Sequence, residues 1–121
     1  MLPKNLKLTF DSLLAFQRDI EARGLADRVL TLVWSEFGRR AAENGSGTDH
    51  GAAGVAFLVG ARASGRMIGE FPGLGKLDKD GNVRATSDFR GLYGAISGDW
   101  FGVDPSAVLP GSGLGKPVIL K

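Results

Sequence analysis

The sequence predicts an α/β fold, and three observations carry the prediction. Two apolar runs, residues 29–34 (Val-Leu-Thr-Leu-Val-Trp) and residues 54–60 (Gly-Val-Ala-Phe-Leu-Val-Gly), have the length and composition of buried strands. An amphipathic segment with helical spacing precedes the first run, and a second such segment follows Thr86 and Ser87. The two runs bracket the residues best able to carry chemistry, Glu36, Arg39, Arg40, Asp49 and His50, and His50 is the one histidine of the chain. In open α/β sheets, ligands collect beyond the carboxyl ends of strands, which is where Glu36 and the two arginines fall.

The elements follow in chain order. Thr9 is a candidate N-cap, and Leu13, Leu14, Phe16, Gln17 and Ile20 form one apolar face with Asp11, Arg18, Asp19 and Glu21 largely outside it. Gly24 supplies the stop. The short connection through Leu25-Ala26-Asp27-Arg28 leads into the first strand, as in the αβ half of a βαβ unit whose first strand is missing. Residues 39–53 are polar and Gly-rich and read as a loop, with one helical turn over residues 40–43. Their glycines would let the backbone approach a bound ion or anion closely.

Beyond the second strand, residues 66–71 have the character of a short edge strand, ended by Pro72-Gly73. Residues 78–82 read as a tight turn, because Asp80-Gly81 suits positive φ. Thr86 or Ser87 caps a helix beginning at Asp88, in which Phe89, Leu92, Tyr93 and Ile96 form a core stripe; Gly91, Gly94 and Gly98 make it dependent on tertiary packing. Residues 118–120 are a candidate terminal strand. No internal repeat and no second domain is evident, so residues 1–121 are expected to form a single α/β domain.

A chain of 121 residues can bury a real core but is short for an enzyme with a complete α/β sheet. The net charge is only +2 and Lys and Arg form no continuous block, which argues against nucleic-acid binding. The absence of Cys excludes disulfides, thiolate metal sites and thiol nucleophiles. No apolar run reaches the roughly 18 to 20 residues of a spanning helix, and residues 1–7 lack the apolar core of a secretory leader. No nucleic-acid and no membrane partner is therefore expected.

Asp49-His50 pairs an anionic oxygen with a neutral nitrogen, a combination suited to a divalent ion or to proton transfer, although ordinary loop hydrogen bonds are the commoner account of such a pair. Adjacent residues of a strand point to opposite sides, so both can reach one ion only from a loop. Glu36 is placed to bind a metal or accept a proton, or else to pair with Arg39 or Arg40. Either arginine could clamp a phosphate or sulfate bidentately, although clustered arginines near a strand end are more often simply solvated.

Two further motifs fail. The tail Gly111-Ser112-Gly113-Leu114-Gly115-Lys116-Pro117 evokes a phosphate loop, but Pro110 stands at the first Gly and Pro117 at the Ser/Thr that would hold magnesium. The acidic segment Asp78, Asp80, Asn82 has its Gly at the fourth position and no Glu at the twelfth, so it is not a calcium hand.

Taken together, Leu25-Ala26-Asp27-Arg28-Val29, Ser35-Glu36-Phe37-Gly38-Arg39-Arg40, Glu43-Asn44-Gly45-Ser46-Gly47-Thr48-Asp49-His50-Gly51 and Thr86-Ser87-Asp88-Phe89-Arg90 resemble the C-terminal part of the domain of unknown function 1501 family. That family in turn resembles the alkaline phosphatase and sulfatase superfamily. The resemblance implies a partial three-layer αβα sandwich and a fragment of a metal-dependent phosphate or sulfate ester hydrolase, inactive alone because the nucleophile segment has no counterpart here.

The superfamily's Asp-His-Gly motif matches Thr48-Asp49-His50-Gly51 literally. A second register sets Ser35-Glu36-Phe37-Gly38 at the Asp-His position and His50 at a later single-His position, with Phe37 in place of a ligand histidine. The resemblance thus implies Glu36, Asp49 and His50 as ligands of a divalent ion (zinc, manganese or calcium) and Arg39 as the group that binds an anionic ester. It also implies an exported or periplasmic setting for the intact protein. The alternative is a non-catalytic module of a degenerate hydrolase fold that binds a partner chain or a second copy of itself.

Overall fold

The computed structural model describes residues 2–121; Met1, part of the segment read for a leader, lies outside them. The chain combines helices with small antiparallel sheets, a mixed α/β class. It divides into two compact units. One runs from the start of the described chain to Val33 and includes Phe57–Ala63; the other comprises Trp34–Ala56 and Ser64–Lys121.

The first unit is built on α1 (Leu2–Ala22), which starts about two turns before the expected cap at Thr9. The polar and apolar residues ahead of Thr9 continue the helical period, and the Lys7–Asp11 pair at i,i+4 (2.5 Å) spans the expected boundary. Termination is as expected: Gly24 adopts φ +68°, a conformation that costs other residues a Cβ clash, and the Leu25 N–H closes onto the Ile20 carbonyl at 3.0 Å. Ile20 is buried, Leu13 and Gln17 are half-buried, and Phe10 packs edge-on against Phe57 with ring centroids 5.6 Å apart.

A 3₁₀ turn, Ala26–Arg28, leads into β1 (Thr31–Val33), which pairs with β4 (Phe57–Val59). This pairing is antiparallel, with Leu32 opposite Leu58. A parallel pair needs a crossover that carries the chain back to the same end, whereas the segment between β1 and β4 contains a hairpin that allows a direct return. Both strands are half-buried at best, and Phe57 is exposed, so neither is the fully buried strand that its composition suggests.

In the second unit, residues 39–53 correct the loop reading. They carry most of β2 (Gly38–Glu43) and all of β3 (Thr48–Gly51), paired antiparallel with Arg39 opposite His50 and Glu43 opposite Thr48, with an irregularity between those two pairs. The reversal at residues 44–47 explains the outcome. Gly45 takes φ +86°, the Asn44 N–H donates to the Gly47 carbonyl at 2.9 Å, and Asn44 Oδ1 accepts the Ser46 N–H at 3.1 Å.

Residues 66–71 form no strand, and Gly69 within them sits at φ +90°. The turn at residues 78–82 is present: Asp78 Oδ1 accepts the N–H groups of Asp80 (2.9 Å) and Asn82 (2.8 Å). The second helix, α2 (Phe89–Ala95), is capped by Asp88, one residue past the expected caps, and opens into a π-helical turn over Ile96–Trp100.

Its buried face is Gly91, Gly94 and Ala95, not the expected aromatic stripe; Phe89 is exposed and meets Tyr93 edge-on at 5.7 Å. Small residues win this face because the backbone of residues 112–115 lies directly on the helix, where a Cβ at Gly91 would come within 2.7 Å of the Leu114 carbonyl oxygen. Close by in the chain, Ser112 and Ile119 are buried; the Ile119 carbonyl accepts the Ser64 N–H at 2.9 Å and Leu120 makes an isolated β-bridge, so the expected terminal strand is reduced to these contacts.

The Asp88 cap makes α2 acid-sensitive. Its carboxylate accepts the Arg90 guanidinium (Nε 3.0 Å) and the Arg90 N–H (2.9 Å), which hold its pKa down at about 2 from the ordinary 3.8. A depressed carboxylate stabilises the folded state above its unfolded pKa, and that contribution fades as pH falls through the folded value. Helical circular dichroism followed from pH 5 to pH 1 should therefore fall in the window between about 4 and about 2. Asp88→Asn, which keeps a capping oxygen but cannot ionise, should flatten that step.

Candidate functional site

The hairpin of β2 and β3 brings the two chemistry-bearing segments side by side. Ser35-Glu36-Phe37 leads into β2, and Thr48-Asp49-His50-Gly51 is β3 itself. Two glycines make the pairing close. Gly38 is buried, and a Cβ there would collide with the Ala53 carbonyl; a Cβ on Gly51 would come within 2.7 Å of the Arg39 carbonyl carbon. These motif glycines admit backbone to backbone, rather than backbone to a bound ion as the sequence suggested.

One face of the hairpin carries a three-part stack. The His50 imidazole lies flat on Phe37 (centroids 3.5 Å, planes 15° apart), and the Arg39 guanidinium sits 4.9 Å from the centre of the same ring. Arg39 Nη1 donates to the Thr48 carbonyl at 2.6 Å, which fixes the guanidinium across the strand pair. Arg39 and His50 are exposed and Phe37, which meets both, is half-buried, an arrangement in which stacking and cation–π attraction set the orientation of both polar groups while their edges remain open to solvent.

Asp49 belongs to the opposite face by strand alternation, and its Oδ1 accepts Asn44 Nδ2 at 2.7 Å. Glu36, just outside β2, is exposed, with Oε2 3.4 Å from Ser35 Oγ. Arg40, next to Arg39 on β2, is exposed as well.

The structure therefore joins Arg39, His50 and Phe37, and does not bring Glu36, Asp49 and His50 together. Among the described residues no three His, Asp or Glu side chains are grouped so that they could hold a metal ion. As a donor set for a resident divalent ion, these residues are incomplete. The physical reason is local: Asp49 and His50 are successive residues of a strand, not of a loop. Phe37, first noticed as a departure from the superfamily pattern, is the centre of the stack. Its signal in sequence was the i,i+2 spacing to Arg39, with Phe37 directly ahead of β2 and Arg39 within it.

Elsewhere, an open depression of about 480 Å³ is lined by Glu70, Pro72, Lys76, Arg84 and Thr86, none of which the sequence marked as a site residue. Thr86 Oγ1 donates to the Glu70 carbonyl at 2.6 Å across it. In the Gly-rich tail, Lys116 Nζ is bonded to Asp99 Oδ1 at 2.6 Å and the backbone is packed on α2, consistent with its failure as a phosphate loop. No helix is long and apolar enough to cross a membrane among the described residues.

Neither the curated proteins nor the solved structures include a match to this chain. The model of a family described as a protein of unknown function, DUF1501, matches residues 2–109, which takes in α1, the stacked hairpin and α2. With nearly the whole length matched, including both hairpin motifs, the chain belongs to the DUF1501 family.

Proposed function

We propose that this chain is part of a phosphate or sulfate ester hydrolase built on the αβα sandwich of the alkaline phosphatase and sulfatase superfamily, with the β2–β3 hairpin forming one wall of the anion site. The observation that carries the reading is the pairing of Arg39 with His50. Two motifs separated in sequence meet on adjacent strands, with a guanidinium and an imidazole held against one aromatic ring. In this role Arg39 binds two oxygens of the anionic ester through its planar fork and stabilises charge as the ester is displaced. His50 presents a nitrogen edge to the same space.

Of Glu36, Asp49 and His50, the ligands that the superfamily resemblance implies for a divalent ion such as zinc, manganese or calcium, Asp49 lies on the face opposite His50. Because they are not grouped, the remaining ligands and the nucleophile belong to further secondary structure, and the chain alone does not turn over ester. Exposed apolar side chains such as Trp34, Met67, Phe71 and Phe101 are ones that such structure would cover. The same exposed side chains favour the second reading, a non-catalytic module that binds a partner chain through them. On the first reading the intact protein works in an exported setting, as the superfamily resemblance implies.

Calorimetric titration separates the two. Inorganic phosphate or sulfate should bind the chain weakly, and Arg39→Ala should lower that affinity by about tenfold or more. Zinc, manganese and calcium titrated in turn should show binding that His50→Ala and Glu36→Ala both weaken, while aryl phosphate and aryl sulfate esters stay unhydrolysed. Absence of both anion and metal binding, or binding that these variants leave intact, supports the module reading instead.

A further inference from the structure

We propose that the outer edge of α1 is a self-association surface, on which two copies of the chain pair through antiparallel α1 helices with Leu14 at the two-fold axis. The pairing does not depend on the hydrolase reading. Positions 7, 11, 14, 18 and 21 follow the 4,3,4,3 spacing of a single stripe along a helix, and they read Lys, Asp, Leu, Arg, Glu. This stripe lies beside the one formed by Leu6, Phe10, Leu13, Gln17 and Ile20, whose C-terminal part packs into the first unit. All five residues of the outer stripe are exposed, Leu14 at 50%.

The order of charges is complementary to its own reverse. Laid antiparallel about Leu14, Lys7 meets Glu21 of the second copy, Asp11 meets Arg18, Leu14 meets Leu14, and the remaining two pairs repeat by symmetry. A two-fold contact demands such self-complementarity, in which each residue's partner returns the same contact. A parallel pairing in register would set like charges opposite each other instead.

The helix termini point the same way. α1 has no acidic residue in its first turn and no basic residue in its last, while Lys4 and Lys7 sit towards the N-terminus and Asp19 and Glu21 in the final turn, Asp19 being paired with Arg23 just beyond the helix at 2.7 Å. This distribution opposes the helix macrodipole and weakens the helix in isolation. Set against an antiparallel copy, each cationic start lies beside an anionic end, and the opposing dipoles attract. Within the single helix Lys7 and Asp11 already pair with each other, so the contacts to Glu21 and Arg18 of the second copy add to that bridge. Leu6 (46% exposed) and Phe10 (40%) flank the stripe and add apolar area to the contact. A single helix pair falls at the small end of interface sizes, below about 1,200 Å², so the dimer is concentration-dependent.

Sedimentation velocity on the whole chain over a concentration series, with helix content monitored by circular dichroism, tests the pairing. The wild type should show a monomer–dimer equilibrium that weakens with added salt. Leu14→Glu should abolish it, and Lys7→Glu should weaken it by about tenfold or more. Lys7→Glu combined with Glu21→Lys should restore it. Residues 7 and 21 stand about 21 Å apart along one helix, so rescue by the double reversal must act between chains. In this cysteine-free chain, Leu14→Cys should cross-link rapidly under mild oxidation and Phe16→Cys, on the far side of the helix, should not. A monomer at every concentration overturns the proposal, and so does a dimer indifferent to Leu14→Glu or a Lys7→Glu defect that Glu21→Lys leaves unrescued.

Discussion

Gly38→Ala is expected to break the hairpin and with it the stack of Phe37, Arg39 and His50. A Cβ at position 38 points into the carbonyl group of Ala53, and its neighbours on that side are backbone atoms that no rotamer change can move. Overpacking of this kind costs typically 1 to 3 kcal/mol, and collision with backbone puts this case at about 3 kcal/mol or above. That exceeds what a small hairpin can absorb, since two isolated strands are marginal on their own. The readout is local: amide hydrogen exchange across Gly38–Glu43 and Thr48–Gly51 should approach unprotected rates, and the ring-current shift of the His50 imidazole on Phe37 should vanish. Gly54→Ala serves as the control, because a Cβ there meets its nearest atom, Gly38 Cα, at 3.4 Å, an ordinary contact.

Gly94→Ala should have a comparable effect on the second unit, against the usual rule for helices. Replacing a helical glycine by alanine ordinarily stabilises by roughly 0.5 to 1 kcal/mol through reduced backbone entropy. At position 94 the new methyl runs into the Ser112 carbonyl and also lies 3.2 Å from the Ser112 Cβ. A steric cost of about 3 kcal/mol outweighs the propensity gain, so the net change is destabilising by about 2 kcal/mol. Thermal melting followed by near-ultraviolet circular dichroism of Trp100 and Tyr93 should show a lowered midpoint. Gly98→Ala meets only the flexible end of Lys116, at 3.0 Å, and should be tolerated.

These two glycines also show why some of the fold was legible in the sequence and some was not. The amphipathic period of α1 and its Gly24 stop follow from local chemistry, as does the Asp78 turn, where a carboxylate captures the backbone two and four residues on. β2 was obscured by its composition: Gly-Arg-Arg-Ala-Ala-Glu has no alternation and low strand propensity, and it is held by cross-strand pairing. The signal that was present, Asn44-Gly45 between two segments of similar length, outweighed propensity in the structure.

The apolar runs at β1 and β4 were legible as strands but not as an antiparallel pair, because composition carries no direction. In α2 the expected stripe ranked residues by hydrophobicity, whereas the buried face was decided by where backbone approaches most closely. Of the candidate site, Arg39 and His50 share a face; Asp49 does not join them, a consequence of its place on a strand.

The central claim, that the hairpin face of Arg39 and His50 is an anion- and ion-facing wall of a hydrolase site, can be read from one side chain. His50 is the sole histidine, so its imidazole gives unique proton and nitrogen resonances. Those resonances should move on addition of zinc and, separately, of inorganic sulfate, with the sulfate response lost in Arg39→Ala and the zinc response reduced in Glu36→Ala. An imidazole whose resonances stay fixed through both titrations, while its stacking on Phe37 persists, would contradict the claim and leave the hairpin as a structural element alone.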